Sequence, residues 1–225
     1  MIPKIIHQTS ATKSWEERRL LERSRKLMPD FSFRMWSDHD NLELVRKVIP
    51  HREQAFSNIT KGVVKADIAR CLFLFEHGGI YVDTDYKFFR PIGPEFLANR
   101  LVLGIEDPDN AWIKTVKYGN AFMASVRGEP MWLEFVESAF GRLAAGENNP
   151  LLIAGPHALS LFLAERPLQL AQITALPPSI IYPEMTGRPP GDQAVGIHLC
   201  WGSWRHKPLQ QAVRNRVRRL VTAVL

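Results

Sequence analysis

Two carboxylates two residues apart, Asp83 and Asp85, follow the apolar run Ile80-Tyr81-Val82, which itself follows a double glycine, Gly78-Gly79. Acids at i and i+2 where a strand leaves a sheet can both turn towards the crevice beyond the strand ends, where open α/β sheets bind ligands. Such a pair suits a hard divalent cation, Mn²⁺ or Mg²⁺, which takes oxygen ligands, keeps some of its waters and bridges carboxylates to phosphate oxygens. Held against a departing nucleoside diphosphate, that cation would act as a Lewis acid. The pattern alone is cheap, because Asp38-His39-Asp40 and Asp107-Pro108-Asp109 repeat it. The first of these reads as a helix cap behind Ser37, and the second as a proline-containing turn after a strand. Only the middle pair follows a long apolar helix that carries charges of its own.

In that helix Val64, Ile68, Cys71, Leu72 and Phe75 form one stripe at 100° per residue, and Lys61, Lys65 and Glu76 group on the opposite side. Asp67 and Arg70 belong to neither group. They are three apart, so they neighbour one another, and they share a sector with Val63 and Leu74. Charges on an apolar sector pair or bind something.

The elements that must position these groups alternate along the chain. Lys4-Ile5-Ile6 suits a first strand, residues 15 to 28 a surface helix, and Phe31 to Trp36 a second strand. Ser37 then caps a helix over Leu42, Leu44, Val45 and Val48. After the central segment come strands at Leu101 to Ile105 and Asn120 to Ala124, and helices at Met131 to Leu143 and His157 to Glu165, the last with Pro156 in its first turn. Residues 177 to 191 hold five prolines and two glycines and read as a loop in which Ile180-Ile181-Tyr182 could pair locally. Strand and helix in alternation predict an α/β domain.

With 225 residues, 45% hydrophobic and 23% charged, the chain is an ordinary globular sequence, which excludes disorder, collagen and coiled coil and leaves room for one large core. The net charge of +6 is local, because the last 25 residues hold six Lys and Arg and no acid. A basic tail rather than a basic face argues against nucleic acid. Val213, Val217, Leu220, Val221 and Val224 form a stripe there, off which Arg214, Arg216, Arg218 and Arg219 lie, so residues 209 to 225 read equally as an interfacial helix on anionic lipid or as a terminal helix packed on the core. Cys71 and Cys200 sit in apolar stretches without a Cys-x-x-Cys motif and read as buried thiols of a reducing compartment. No apolar run approaches the roughly 18 residues that span a bilayer, and the start lacks the layout of a secretory signal, so the expected location is the cytoplasm, peripheral on the inner face of the membrane if the tail binds lipid.

The segment from Lys65 to Asp85, with Lys65-Ala66-Asp67-Ile68-Ala69-Arg70 and Glu76-His77-Gly78-Gly79-Ile80-Tyr81-Val82-Asp83-Thr84-Asp85, resembles the DXD sugar-binding region of glycosyltransferase family 32. That family includes Golgi initiating mannosyltransferases and bacterial capsule enzymes and is related to the large glucosylating toxins. Ile2 to Gln8, Gly155-Pro156 and His198-Leu199-Cys200-Trp201-Gly202-Ser203-Trp204 match further family segments in the family's order. Thr9-Ser10 stands where members often carry an aromatic, with Trp15 the nearest candidate, and Ala154 replaces a common threonine.

The resemblance implies a GT-A type domain over residues 1 to 208, with a mixed central sheet flanked by helices. It also implies retaining transfer of a hexose from a UDP- or GDP-sugar to a glycan or lipid-linked acceptor. Asp83, Asp85 and Arg70 would form the catalytic group. Asp67 would hold sugar hydroxyls, Arg70 the sugar or diphosphate, and Asp83 the ribose and sugar. Asp85 would ligate the metal, joined by His198. Ser203 and Trp204 would close over the phosphates, and His7 and Gln8 would lie near the nucleotide. Glu106, Asp107 and Asn120 are the acceptor-side candidates, and no catalytic base or nucleophile emerges. Two other classes fit the residues less well: a glycoside or phosphoester hydrolase using the clustered acids, and a non-catalytic module binding membrane or nucleic acid through the basic tail.

Overall fold

A computed structural model describes residues 1–11 and 14–202. Strands β1 (Ile5–Thr9), β2 (Ser32–Trp36) and β3 (Gly79–Val82) are joined through helices α1 (Trp15–Leu27), α2 (Asp38–Val48), α3 (Glu53–Ser57) and α4 (Gly62–His77). Next come β4 (Tyr86–Phe88), α5 (Pro94–Leu97), the hairpin β5 (Leu101–Asn110) and β6 (Thr115–Ser125), and helices α6 (Met131–Ala144), α7 (Pro150–Ile153), α8 (Pro156–Ala164) and α9 (Pro167–Leu170). The described chain closes with β7 (Thr174–Leu176), α10 (Pro178–Ile181) and β8 (Gly196–His198). Six strands form one mixed sheet in the order β2-β1-β3-β6-β5-β7, with β1 parallel to β2 and β3, β6 antiparallel to β3 and β5, and β7 parallel to β5. β4 and β8 make a separate antiparallel pair. The expected mixed α/β architecture is present.

The sheet is buried on both faces, and strand alternation sorts its side chains between two cores. Tyr81, Leu101, Leu103 and Met123 point towards α4, α6 and α8, whereas Ile80, Val82, Val102 and Phe122 join Ile6, Phe88 and Tyr182 on the other side. α4 is buried almost all round, from Val64 through Leu74. It therefore forms the centre of one layer, and the two charges on its buried side, Asp67 and Arg70, are each 4% exposed.

The helix ends because Gly78 takes φ +63° while its N–H donates to the Leu74 carbonyl. Gly79 follows at φ +102°, and a Cβ there would lie 2.6 Å from the Ile5 carbonyl oxygen on β1. Glycine is needed at both positions, because left-handed backbone and close strand approach each exclude a side chain. The turn thus feeds α4 directly into β3 and delivers Asp83 at the strand's far end.

Three expectations need correction. β5 and β6 run to Asn110 and from Thr115, so Asp107-Pro108-Asp109 lies inside a strand rather than in a turn. The pairing there shifts register between Asp107 and Asn110, and such an irregularity accommodates a proline that cannot donate to the ladder. Ile180-Ile181-Tyr182 does not pair as a strand, because Pro178 opens a single helical turn, α10, and Tyr182 caps it. Cys71 is buried as expected, but Cys200 is exposed. Residues 209 to 225 lie outside the described residues, as do Ser203 and Trp204.

Candidate active site

The C-terminal ends of the interior strands β1 and β3 meet the N-terminal half of α4, and the predicted acids gather there. Arg70 is 4% exposed and makes four polar contacts through its guanidinium. Nη2 pairs with Asp67 Oδ1 at 2.9 Å, and Nη1 pairs with Asp83 Oδ1 at 3.2 Å and donates to the Asn120 carbonyl at 2.7 Å. Nε donates to the Ala66 carbonyl at 3.3 Å, and the Tyr81 ring lies 4.5 Å from the guanidinium carbon. One arginine therefore ties α4, β3 and β6 together. Burial acts to lower its pKa, but Asp83, Tyr81 and Asp67 together hold the guanidinium well above its ordinary value. Burial pushes the Asp67 carboxyl up, and Arg70 with the Asn120 amide, whose Nδ2 donates to Asp67 Oδ1 at 2.9 Å, pulls the other way.

Asp85 lies on the other side of the crevice. Its Oδ2 accepts the Trp201 backbone N–H at 2.7 Å, and its Oδ1 is 3.1 Å from His198 Nε2. The β4–β8 pair makes this contact, since Tyr86 lies opposite His198 and the Leu199 N–H donates to the Asp85 carbonyl. His198 Nε2 is also 3.7 Å from Asp83 Oδ2. Burial would lower the His198 pKa, but the hydrogen bond to Asp85 and the charges of both aspartates carry it well above the usual histidine value. Burial likewise works against the Asp85 carboxylate, yet the His198 contact holds its pKa below the ordinary range.

Asp83, Asp85 and His198 each present one ligand atom within 4.8 Å of the others. Two carboxylate oxygens and an imidazole nitrogen fit a hard divalent cation that keeps waters in its remaining positions. Thr84, between the acids, donates to Glu17 Oε1 at 2.6 Å and so anchors the motif to α1.

The other expected residues divide. Gln8 donates from Nε2 to the Asp83 carbonyl at 3.2 Å, placing it beside the motif. Asn120, expected on the acceptor side, belongs to the Asp67–Arg70 cluster. Glu106 pairs with Lys117 at 2.6 Å, and Asp107 bonds within the β5–β6 hairpin, accepting from the Asp109 N–H and from Asn110 Nδ2. His7 does not face the crevice. It is fully buried, its Nε2 donates to the Gly78 carbonyl at 2.9 Å, and its Nδ1 accepts from Trp36 Nε1 at 3.1 Å, so both nitrogens are spent inside the fold. Trp15, the nearest substitute for the missing aromatic, is 46% exposed, with the Arg19 guanidinium over its ring.

Burial holds the His7 pKa at about 4, below the ordinary 6.5. The folded state takes up this proton only below the pH at which the unfolded chain already holds it. The neutral ring's contribution is therefore complete above pH 6.5 and fades as the pH falls towards 4, by up to about 3 kcal/mol. Urea unfolding at pH 7.5 and pH 4.5 should show a smaller acid loss for His7→Gln than for the parent chain. Equal losses would mean that His7 is not the group responsible.

Sequence reading missed Tyr81, whose hydroxyl donates to Asp83 Oδ1 at 2.7 Å, although its i−2 position on the same strand face was a usable signal. It also missed the Trp201 backbone amide, for which residue types carry no signal.

Residues 14–107 match the glycosyltransferase sugar-binding region containing the DXD motif. That match covers 94 of the 225 residues. The chain is 29% identical over 147 residues to the mannosyl phosphorylinositol ceramide synthase SUR1 of Saccharomyces cerevisiae, covering 61% of the chain and 35% of the relative. It is 23% identical over 216 residues to inositol phosphoceramide mannosyltransferase 1 of Schizosaccharomyces pombe, covering 90% of the chain and 62% of that protein. With the initiation-specific alpha-1,6-mannosyltransferase of Candida albicans it shares 30% identity over 112 residues, 42% of the chain and 29% of the relative. The chain spans less than two thirds of each of these relatives. Among solved structures, the ligand-free glycosyltransferase domain of the YGT toxin superposes with a TM-score of 0.60 at 8% identity, covering 97% of this chain and 86% of that one. The PaToxG glycosyltransferase gives 0.57 at 22%, covering 76% and 74%. At such identities the likeness is one of fold, and the fold is the GT-A type that the DXD segment implied.

Proposed function

We propose that this chain transfers a hexose from a nucleoside diphosphate sugar to a glycan or lipid-linked acceptor, with metal assistance and retention of anomeric configuration. The observation that carries the reading is the convergence of Asp67, Arg70, Asp83 and Asp85, all inside the matched sugar-binding region, with His198, which the β4–β8 pair brings to them from outside it. A divalent cation held by Asp83, Asp85 and His198 would neutralise the departing diphosphate. Arg70, kept charged among acids, adds a fixed positive charge beside the same region, and Asp67 with Asn120 offers oriented acceptor and donor groups to sugar hydroxyls. Gln8 and Tyr81 hold the Asp83 backbone and carboxylate in place. Catalysis then rests on positioning and on preorganised charge, with no base or nucleophile required of the protein.

The names of all three relatives above refer to mannosyl transfer, and two of them to inositol phosphoceramide, so mannose and a phosphoinositol lipid are the first donor sugar and acceptor to test. The basic amphipathic pattern of residues 209 to 225 suits an anionic surface bearing such an acceptor. Incubation with Mn²⁺, GDP-mannose or a UDP-hexose, and inositol phosphoceramide should yield a hexosylated lipid by mass spectrometry and raise the melting temperature with the matching donor. Free hexose without a glycosylated acceptor would favour the hydrolase. Salt-sensitive vesicle binding with no response to any donor would favour the non-catalytic module.

A further inference from the structure

The imidazole of His198 has a second side. Its Nε2 faces Asp85 and Asp83, while its Nδ1 lies 3.4 Å from the Cys200 sulfur. Glu184 stands on that second side, and its Oε2 accepts the His198 backbone N–H at 3.3 Å. Its Oε1 is buried and has no hydrogen-bond partner among the described residues. One ligand atom each from Glu184, His198 and Cys200 falls within 4.8 Å of the others. Cys200 itself is exposed and holds a left-handed backbone, φ +52°, that side chains rarely adopt.

We propose that Glu184 Oε1, His198 Nδ1 and the Cys200 thiolate form a second cation site, one for a borderline-soft divalent ion such as Zn²⁺, back to back with the Asp83–Asp85 site across a shared imidazole. The donor set decides the ion, because thiolate and imidazole select zinc over magnesium or manganese. With Zn–S near 2.3 Å and Zn–N near 2.0–2.1 Å in a tetrahedron, sulfur and nitrogen sit about 3.5 Å apart, close to the separation present here. The uncoordinated Glu184 oxygen gains the partner it lacks, and the exposed side of Cys200 leaves the fourth position to water. On binding, the Cys200 thiol proton and any proton on Nδ1 are released to solvent, and the thiolate remains as the ligand.

A further feature supports the site. Histidines that ligate zinc through one nitrogen commonly donate the other N–H to a carboxylate, and His198 Nε2 meets Asp85 Oδ1 at 3.1 Å in that arrangement. A hard cation between Asp83 and Asp85 needs the Nε2 lone pair instead. The two sites therefore oppose one another: occupation of the zinc site holds the proton on Nε2 and weakens the other cation, and linkage makes the effect reciprocal.

The test needs neither a sugar donor nor turnover, so its outcome is separate from that of the transferase reading. Titration of the chelator-stripped full chain with Co²⁺ should produce a near-ultraviolet sulfur-to-cobalt charge-transfer band that saturates at one equivalent and is bleached by Zn²⁺. Cys71 cannot supply the band, since it is buried and its Sγ donates to the Asp67 carbonyl. Cys200→Ser should abolish the band. Glu184→Gln should keep it while weakening Co²⁺ at least about tenfold, because even loss of an outer-shell partner costs 10–100-fold. The Mn²⁺ affinity read by water relaxation should fall once Zn²⁺ is bound. No band at saturating Co²⁺, or a band that persists in Cys200→Ser, would overturn the site. Unchanged Mn²⁺ affinity in the presence of Zn²⁺ would overturn the opposition between the two sites.

Discussion

Asp85→Asn should abolish sugar transfer while the protein stays folded. The substitution keeps the size of the side chain, and Oδ1 can still accept the Trp201 N–H that Asp85 accepts at 2.7 Å. It removes the negative charge that faces His198 and that a divalent cation requires. The loss of one preorganised electrostatic contact costs about a hundred- to a thousandfold in rate, roughly 3–4 kcal/mol, and loss of the cation as well should exceed that. Initial rates with saturating donor, measured beside the melting temperature, provide the check. Asp109→Asn, on the exposed hairpin strand, serves as the control and should turn over at the parental rate. If Asp85→Asn retained more than a tenth of the parental activity, metal-assisted departure of the diphosphate would have to be abandoned.

The second large effect falls on stability and donor binding together. Arg70→Met removes the cation that faces Asp67 and Asp83 at 2.9 and 3.2 Å and leaves Asp67, 4% exposed, as an uncompensated buried charge. Breaking one side of a buried pair costs about 3–5 kcal/mol, a large part of the 5–15 kcal/mol that holds a domain together. Adding Asp67→Asn removes the stranded charge, so the double variant should recover part of that loss in urea unfolding. It should not recover donor binding, because the guanidinium and carboxylate that would address the sugar and diphosphate are both gone. A double variant no more stable than Arg70→Met would show that the stranded Asp67 charge is not the source of the cost. A double variant that binds donor normally would remove Arg70 and Asp67 from the donor site.

Much of the site was legible in one segment of 19 residues, from Asp67 to Asp85, because its parts are local. Helical periodicity placed Asp67 and Arg70 side by side, the double glycine ended the helix, and the apolar run delivered the two acids to a strand end. The Asp38-His39-Asp40 repeat was equally legible, since Ser37 and Asp40 close a capping box within four residues. Where the reading failed, the cause was non-local. Whether Asp107-Pro108-Asp109 turns or continues as a strand depended on a partner, β6, able to absorb a register shift. The role of His7 depended on Gly78 and Trp36, 71 and 29 positions away, which turned a polar residue at a strand's end into a buried one.

By itself, then, the sequence determined the α/β class, the helix–glycine–strand–acid unit and the family resemblance, because each is set by spacing within one or two elements. The tertiary structure alone decided that one arginine joins Asp67, Asp83 and Asn120, and that Asp85 meets His198. It likewise decided that Cys200 is exposed, with its sulfur beside the imidazole. Those contacts join residues on different elements, or depend on a backbone conformation that residue type does not specify. The pairing of β3 with β6 and of β4 with β8 brings the partners within hydrogen-bond reach.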